Sequence, residues 1–351
     1  MIPIVGDNKM RPKQKVKLKD IADSLGVSVV TVSNSLAGRP GVSPEMRSKI
    51  KECAAKMGLD YSKYQKPISV KDEKPELAGK TIGVIVSERY MNIGASFYWE
   101  MYQKVAYAVS EINCFTSLTI LKDYSDKAKL PAIIDVDGII IIGPVREKYL
   151  ERLLSITKVP VVLMDQQIEM GNYTSVLSGN YYGMYRATRE LVLAGHEKIG
   201  FVGALDYSRN IIDRYYGYKK CMRENGLKVN RKWVLSDRCG DNETPLVVLP
   251  EELPTAFACS SDYAAGILYN ALKERGINVP DDLSLVGYDN YLLGSELEGK
   301  LTTYNVDMVK MARLAVNQVI KEIDDPSLAG TIYEIDSVVV KRSSIKDMGE
   351  K

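Results

Sequence analysis

The sequence predicts two parts of different class: a small all-α unit built on a helix-turn-helix, then a large α/β body of two lobes. Three observations carry that expectation. At 351 residues the chain is long enough for two or three domains. Its net charge of +2 is unevenly spread, because residues 1–64 hold 12 Lys or Arg against 6 Asp or Glu; that segment carries +6 and the remainder −4. The hydrophobic pattern also changes, from short helical runs punctuated by glycine before residue 60 to aliphatic runs alternating with helical stretches after residue 80. A basic unit ahead of a mildly acidic body points to nucleic acid as a partner of the first part.

Residues 1–15, with Lys9, Arg11, Lys13 and Lys15, read as a flexible cationic arm. From Val16 the apolar side chains Leu18, Ile21, Ala22 and Leu25 recur at helical spacing, and Gly26 ends the run. Ser28 is placed to cap a second short helix from Val29 to about Leu36, with Val32 and Leu36 facing inward and Gly38-Arg39-Pro40-Gly41 breaking it. A third helix has Ser43 as its cap and Pro44 at its first position, buries Ile50, Cys53, Ala54 and Met57, and stops at Gly58. With Val32 and Leu36 turned inward, Val29, Val30 and Asn34 are the candidates for base edges in a major groove. Ser28, Thr31 and Ser33 suit phosphates, to which small hydroxyls and helix N-termini donate.

The run Val16-Lys-Leu-Lys-Asp-Ile-Ala-Asp-Ser-Leu-Gly-Val-Ser-Val-Val-Thr-Val-Ser-Asn-Ser-Leu-Ala-Gly, with Val42-Ser-Pro-Glu-Met-Arg-Ser-Lys-Ile after it, resembles the headpiece of the LacI/GalR family of bacterial transcription regulators. The resemblance implies that Val29, Val30 and Asn34 stand at base-reading positions. The family commonly has arginine where this chain has Asn34, and asparagine suits adenine where arginine suits guanine. After residue 60 the family's short hinge-helix pattern is missing. Pro67 and Pro75 interrupt a segment rich in Ser, Lys and Glu, so residues 61–80 are expected to form an extended linker, with Ile68 and Leu77 as weak apolar wedges.

In the body, strands are expected near 81–86, 115–121, 138–142, 159–164, 175–177, 198–203, 256–259 and 284–287, with helices near 99–112, 147–157, 183–194, 213–225, 262–275 and 307–322. Ligands of open α/β sheets bind beyond the C-terminal strand ends, here a cleft between lobes. The segments Ala194-Gly-His-Glu-Lys-Ile-Gly-Phe-Val-Gly, Thr255-Ala-Phe-Ala-Cys-Ser-Ser-Asp, Val279-Pro-Asp-Asp-Leu-Ser-Leu-Val-Gly-Tyr-Asp-Asn and Leu301-Thr-Thr-Tyr resemble landmarks of the same family's effector domain. That likeness covers nearly all of residues 81–345. It implies a type I periplasmic-binding-protein-like fold, with one lobe at about 81–178 plus 306–325 and the other at about 179–305 plus 330–345.

Carried over by position, the resemblance implies a ligand set of Ser87, Phe97, Tyr98, Asp165, Arg214, Ser261, Asp262 and Asp289. A sugar or sugar derivative is the implied effector, double-stranded operator DNA the partner, and a homodimer the minimum assembly, since an operator pairs two half-sites. Ser261 stands where asparagine is usual, and Arg238 lies in a shortened loop; beside Arg214 it would favour an anionic ligand.

Composition excludes several chemistries. One histidine, His196, sits in a Gly-His turn and reads as structural; multi-histidine metal sites are excluded, and no cofactor or catalytic set is expected. Five scattered cysteines with no CxxC pair fit reduced thiols in a cytoplasm, and no aliphatic run approaches a membrane span or an export signal. The leading reading is a ligand-responsive DNA-binding regulator, a repressor of carbohydrate genes. The competing one is a cytoplasmic solute-binding protein or enzyme with a basic N-terminal interaction module. Deleting residues 1–64 discriminates between them, since only the regulator loses sequence-specific DNA binding.

Overall fold

In the computed structural model the described residues are 17–36, 42–57, 59, 79–88, 96–122, 127–131, 135–169, 171–239 and 244–349. The expected basic arm, the 38–41 break, the stop at Gly58, the linker with Pro67, Ile68, Pro75 and Leu77, and residues 240–243 of the shortened loop lie outside them. The chain divides into two units, residues 1–75 and 76–351.

The first unit contains α1 (Leu18–Leu25), α2 (Val29–Leu36) and α3 (Pro44–Met57). Gly26 caps α1 in the left-handed conformation at φ 64°, returning its N–H to Ala22 O. Ser28 Oγ accepts from Thr31 N at 3.0 Å, and Ser43 Oγ accepts from Met46 N at 3.3 Å, so each later helix opens on a hydroxyl cap. Ile21, Ala22, Val32, Leu36, Ile50 and Ala54 form the core. Two expectations need correcting: Met57 is 36% exposed and Cys53 is only half-buried. At fourteen residues, α3 outruns the two eight-residue helices it packs on. Leu59, whose N–H donates to Ala54 O, packs against the cluster there instead.

The second unit holds two six-stranded sheets. The first comprises β1 (Thr81–Ser87), β2 (Phe115–Leu121), β3 (Gly138–Ile142), β4 (Val161–Met164), β5 (Thr174–Ser178) and β13 (Ile332–Ile335). It is wholly parallel, in the order β13-β5-β4-β3-β1-β2. The second comprises β6 (Ile199–Val202), β7 (Val234–Leu235), β10 (Ala256–Cys259), β11 (Ser284–Asp289), β12 (Thr302–Asn305) and antiparallel β14 (Val339–Val340). Its order is β14-β12-β11-β10-β6-β7. A hairpin of β8 (Arg238–Cys239) and β9 (Thr244–Pro245) stands apart. Strands such as β3 and β4 are continuous aliphatic runs because both faces of a parallel sheet are covered.

Helices α4 (Phe97–Glu111), α5 (Glu147–Ile156) and α9 (Met308–Asp324) belong to the first lobe, and α6 (Asn180–Leu193), α7 (Arg209–Glu224) and α8 (Asp262–Glu274) to the second. Three of them begin earlier than periodicity implied: α4 by two residues, α6 by three and α7 by four. Ser96 and Ser208 cap α4 and α7, accepting from Trp99 N and Ile211 N. In addition, residues 330–345 do not all join the second lobe. β13 pairs with β5 as an edge strand of the first sheet, and the chain returns only at β14. The three inter-lobe passages are tied where they run side by side. Tyr304 OH donates to Asp336 Oδ1 (3.0 Å) and accepts from Ser337 N (2.7 Å), while Tyr288 OH donates to Ser178 Oγ (2.9 Å). Gly183 is required beside them, because a Cβ there would come within 2.7–2.8 Å of the Tyr288 and Tyr304 rings.

Candidate functional sites in the headpiece and the cleft

In the first unit α2 turns Val32 and Leu36 into the core and leaves Val29 and Val30 at 43% and 66% exposed. Asn34, Thr31 and Ser33 are half-buried and Ser28 is exposed. The Ser28 and Thr31 hydroxyls lie 2.8 Å apart, so they already share a hydrogen bond at the helix start. Sequence reasoning missed Arg47. Its guanidinium, on α3, donates from Nη1 to Ser35 O (2.8 Å) and Asn34 O (3.4 Å), placing a cation against the last carbonyls of α2.

In the second unit the C-terminal ends of β1, β4, β5, β10 and β11 bring Ser87, Asp165, Ser178, Ser260 and Asp289 to one inter-lobe region. Arg214, on α7, is buried there with its guanidinium 3.7 Å over the Tyr288 ring. Its Nε donates to Asn180 Oδ1 (2.8 Å), its Nη1 donates to Ser260 O (2.8 Å), and Asp289 Oδ1 lies 3.5 Å away. Asn180 Nδ2 donates to Asn210 Oδ1 (3.2 Å), and Asn210 Nδ2 donates to the carbonyl of Asp165 (3.0 Å). Tyr98 OH donates to Asp165 Oδ2 (2.8 Å). One chain of hydrogen bonds thus runs from lobe two into lobe one. Phe97 packs edge-on against Tyr98 and, across the cleft, against Tyr291 of lobe two. Arg209 crosses as well, to Glu169 (2.8 Å) and Glu147 (3.6 Å).

Burial raises the pKa of Asp165 and, more strongly, of Asp289, and the Arg214 charge only partly opposes it. Both residues hold positive φ, 59° and 118°, which non-glycine residues adopt only where the surroundings impose it. Asp165 Oδ1, Ser87 Oγ and Ser260 Oγ are buried and lack a partner among the described residues.

Of the expected ligand set, Ser87, Phe97, Tyr98, Asp165, Arg214 and Asp289 converge on this region. Ser261 and Asp262 are engaged within lobe two. Ser261 Oγ caps α8, accepting from Ala264 N at 3.0 Å. Asp262 accepts from Thr303 Oγ1 (2.6 Å) and Tyr291 N (2.8 Å), and desolvation lifts its carboxyl to about 7. The expected pairing of Arg238 with Arg214 is not what the contacts give: Arg238 stacks on Tyr207 at 3.8 Å and sits 3.4 Å from Asp237 Oδ2. Asn180, Asn210 and Tyr288 were missed. His196 is held between Thr255 Oγ1 and Ser284 Oγ, at 2.9 Å from each, in a structural position.

Among the described residues no group of three His, Cys, Asp or Glu could hold a metal ion, and no helix is long and apolar enough to cross a membrane. All five cysteines are free. A groove between α4 and α9, lined by Gln103, Lys104, Tyr107, Ala108, Val309 and Arg313, contains none of the cleft residues.

Two family models match the chain: bacterial regulatory proteins of the lacI family over residues 17–61, and the periplasmic binding protein-like domain over residues 188–345. The HTH-type transcriptional repressor PurR of Photobacterium profundum is 27% identical over 342 residues, 94% of this chain and 99% of that protein. A solved structure of the complex of the transcriptional regulator CelR with cellobiose is similar at a TM-score of 0.63 and 20% identity, covering 94% of this chain and all of that one. The lac repressor dimer bound to operator and the anti-inducer ONPF gives a TM-score of 0.59 at 20% identity, covering 95% and 100%.

Proposed function

We propose, for a chain that belongs to the LacI/GalR family of bacterial transcription regulators, that paired headpieces bind an operator and that a small ligand in the inter-lobe cleft sets their affinity. The observation that carries this reading is the polar chain from Arg214 and Asp289 of lobe two through Asn180 and Asn210 to Asp165 of lobe one. A ligand inserted there contacts both lobes, so its affinity depends on their arrangement. A ligand shifts a conformational equilibrium only by such differential binding.

On this reading the protein is a cytoplasmic homodimeric repressor. Val29, Val30 and Asn34 read base edges, while Ser28, Thr31 and Ser33 face phosphates. The repressor name of the relative supports the direction of regulation, and the cellobiose complex supports a sugar or sugar derivative as the effector. Ser87, Phe97, Tyr98, Asp165, Arg214 and Asp289 form the contact set, with Ser261 and Asp262 bracing it from lobe two. Gel shifts on DNA upstream of the protein's own gene test the reading. Asn34→Ala is expected to relax base preference, and removal of residues 1–64 to abolish specific binding; specific binding that survives the deletion contradicts it.

A further inference from the structure

We propose that the cleft ligand carries a protonated amine, whose N–H groups complete the hydrogen bonding of Asp165. The proposal rests on the cleft being the effector site and names the chemistry that site selects. Asp165 is 2% exposed; Tyr98 OH takes its Oδ2, the Asn210 amide also acts on the carboxyl, and Oδ1 meets no donor at hydrogen-bond geometry among the described residues. A buried acceptor left without a donor is rare in a folded protein and calls for a specific reason. The same residue holds φ 59°, so both its backbone and its side chain oppose stability at a position that faces the other lobe through Asn210.

The surrounding charge points the same way. Asp289 is a second buried carboxylate, also at positive φ, and its 3.5 Å separation from Arg214 exceeds the length of a charge-assisted hydrogen bond. Arg214 directs its Nε to Asn180 Oδ1 and its Nη1 to Ser260 O instead. Among the described residues the cation acting on both Asp165 and Asp289 is Arg214, one positive charge beside two carboxyl groups. Two neighbouring acids have donors of their own, Asp262 in Thr303 and Tyr291 and Asp237 in Ala204 N; Arg238 lies 3.4 Å from Asp237, and Asp213 feels Arg209 and Arg214 only as charges. Burial raises the pKa of both central carboxyls, as expected where positive charge is short.

The two carboxyls therefore outnumber the positive charge beside them, and Asp165 Oδ1 still lacks a donor among the described residues. A phosphate or carboxylate ligand would bring more acceptors and more negative charge. A neutral polyol would bring hydroxyls that both donate and accept, and no charge. An ammonium group brings three donors and the missing charge, while the Ser87 and Ser260 hydroxyls, buried and without partners among the described residues, can turn to either role.

The test is a thermal-shift and calorimetric panel on the full chain, using glucose, galactose and mannose with their 2-amino, 2-N-acetylamino and 6-phosphate derivatives. An amine-bearing member is expected to bind at least about tenfold tighter than its hydroxyl and N-acetyl counterparts. Asp165→Asn is expected to erase that preference, and Asp165→Glu to retain part of it. Tightest binding by a phosphate or a neutral sugar, an amine preference that persists in Asp165→Asn, or no binding by any member overturns the proposal. If a neutral sugar binds and Arg214→Ala weakens it, the cleft remains the effector site and only the amine assignment falls. A ligand unaffected by both Arg214→Ala and Asp289→Ala removes the cleft reading itself.

Discussion

Replacing Arg214 by alanine removes the cation at the centre of the polar chain. It deletes the donors to Asn180 Oδ1 and Ser260 O, the stacking over Tyr288 and the charge beside Asp289. Breaking a buried charge pair by removing one partner costs about 3–5 kcal/mol, because the other charge is left uncompensated. Asp289 is already biased toward its neutral form by burial and can take up a proton, which places the loss toward the lower end of that range. At about 2–4 °C per kcal/mol for a domain of this size, the melting temperature of the two-lobed unit should fall by at least about 6 °C. Scanning calorimetry measures this, and a double-mutant cycle with Asp289→Asn isolates the pair: the double variant should recover stability relative to Arg214→Ala alone. A loss below about 1 kcal/mol, within the range of an exposed pair, or additive single effects would refute the burial argument.

Gly217 is a second sensitive point. A Cβ there would come within 2.0 Å of Tyr181 O, so Gly217→Ala should separate α6 from α7 and lower the melting temperature, whereas an unchanged value would contradict the close approach. His196 gives a pH signature. Burial lowers its pKa, so the unfolded chain gains a proton first as pH falls below about 6.5 and stability declines by at most about 1.4 kcal/mol per pH unit. The buried carboxyls act oppositely, so the measurement is the difference between wild type and His196→Gln, which should slope below about pH 6.5 and be flat above; a difference flat throughout contradicts the assignment. Arg47→Met should loosen the end of α2, reducing specific operator binding more than binding to random DNA, and equal loss on both would show that Arg47 acts only through its charge.

The headpiece was legible because its determinants are local. Gly26, Ser28 and Ser43 end or start helices within a turn of themselves, and the spacing of Ile21, Ala22, Val32 and Leu36 defines a single buried face. The aliphatic strands were legible for the same reason. The four-residue β13 was not, since which sheet it joins depends on a partner far away in sequence: Ile332 pairs with Ser175. The cleft was half legible. Asp289 stands within a family landmark and Arg214 was carried over by position, but Asn180, Asn210 and Tyr288 owe their roles to contacts made across 30 to 110 residues. Asn180 had one usable signal, its position two residues after the buried run Thr174–Ser178, where a helix must begin at the C-terminal edge of the sheet. Arg238 misled because its loop placed it near Arg214 in sequence reasoning, while Tyr207 and Asp237 hold it in the fold.

The central claim is that occupancy of the cleft and operator affinity are thermodynamically linked. Operator titrations by fluorescence anisotropy at fixed salt, with and without a saturating cleft ligand, measure the coupling directly. The account predicts a change in operator Kd of at least about fivefold in the wild type and none in Arg214→Ala or Asp289→Ala. An operator affinity unmoved by a ligand that demonstrably fills the cleft would contradict it.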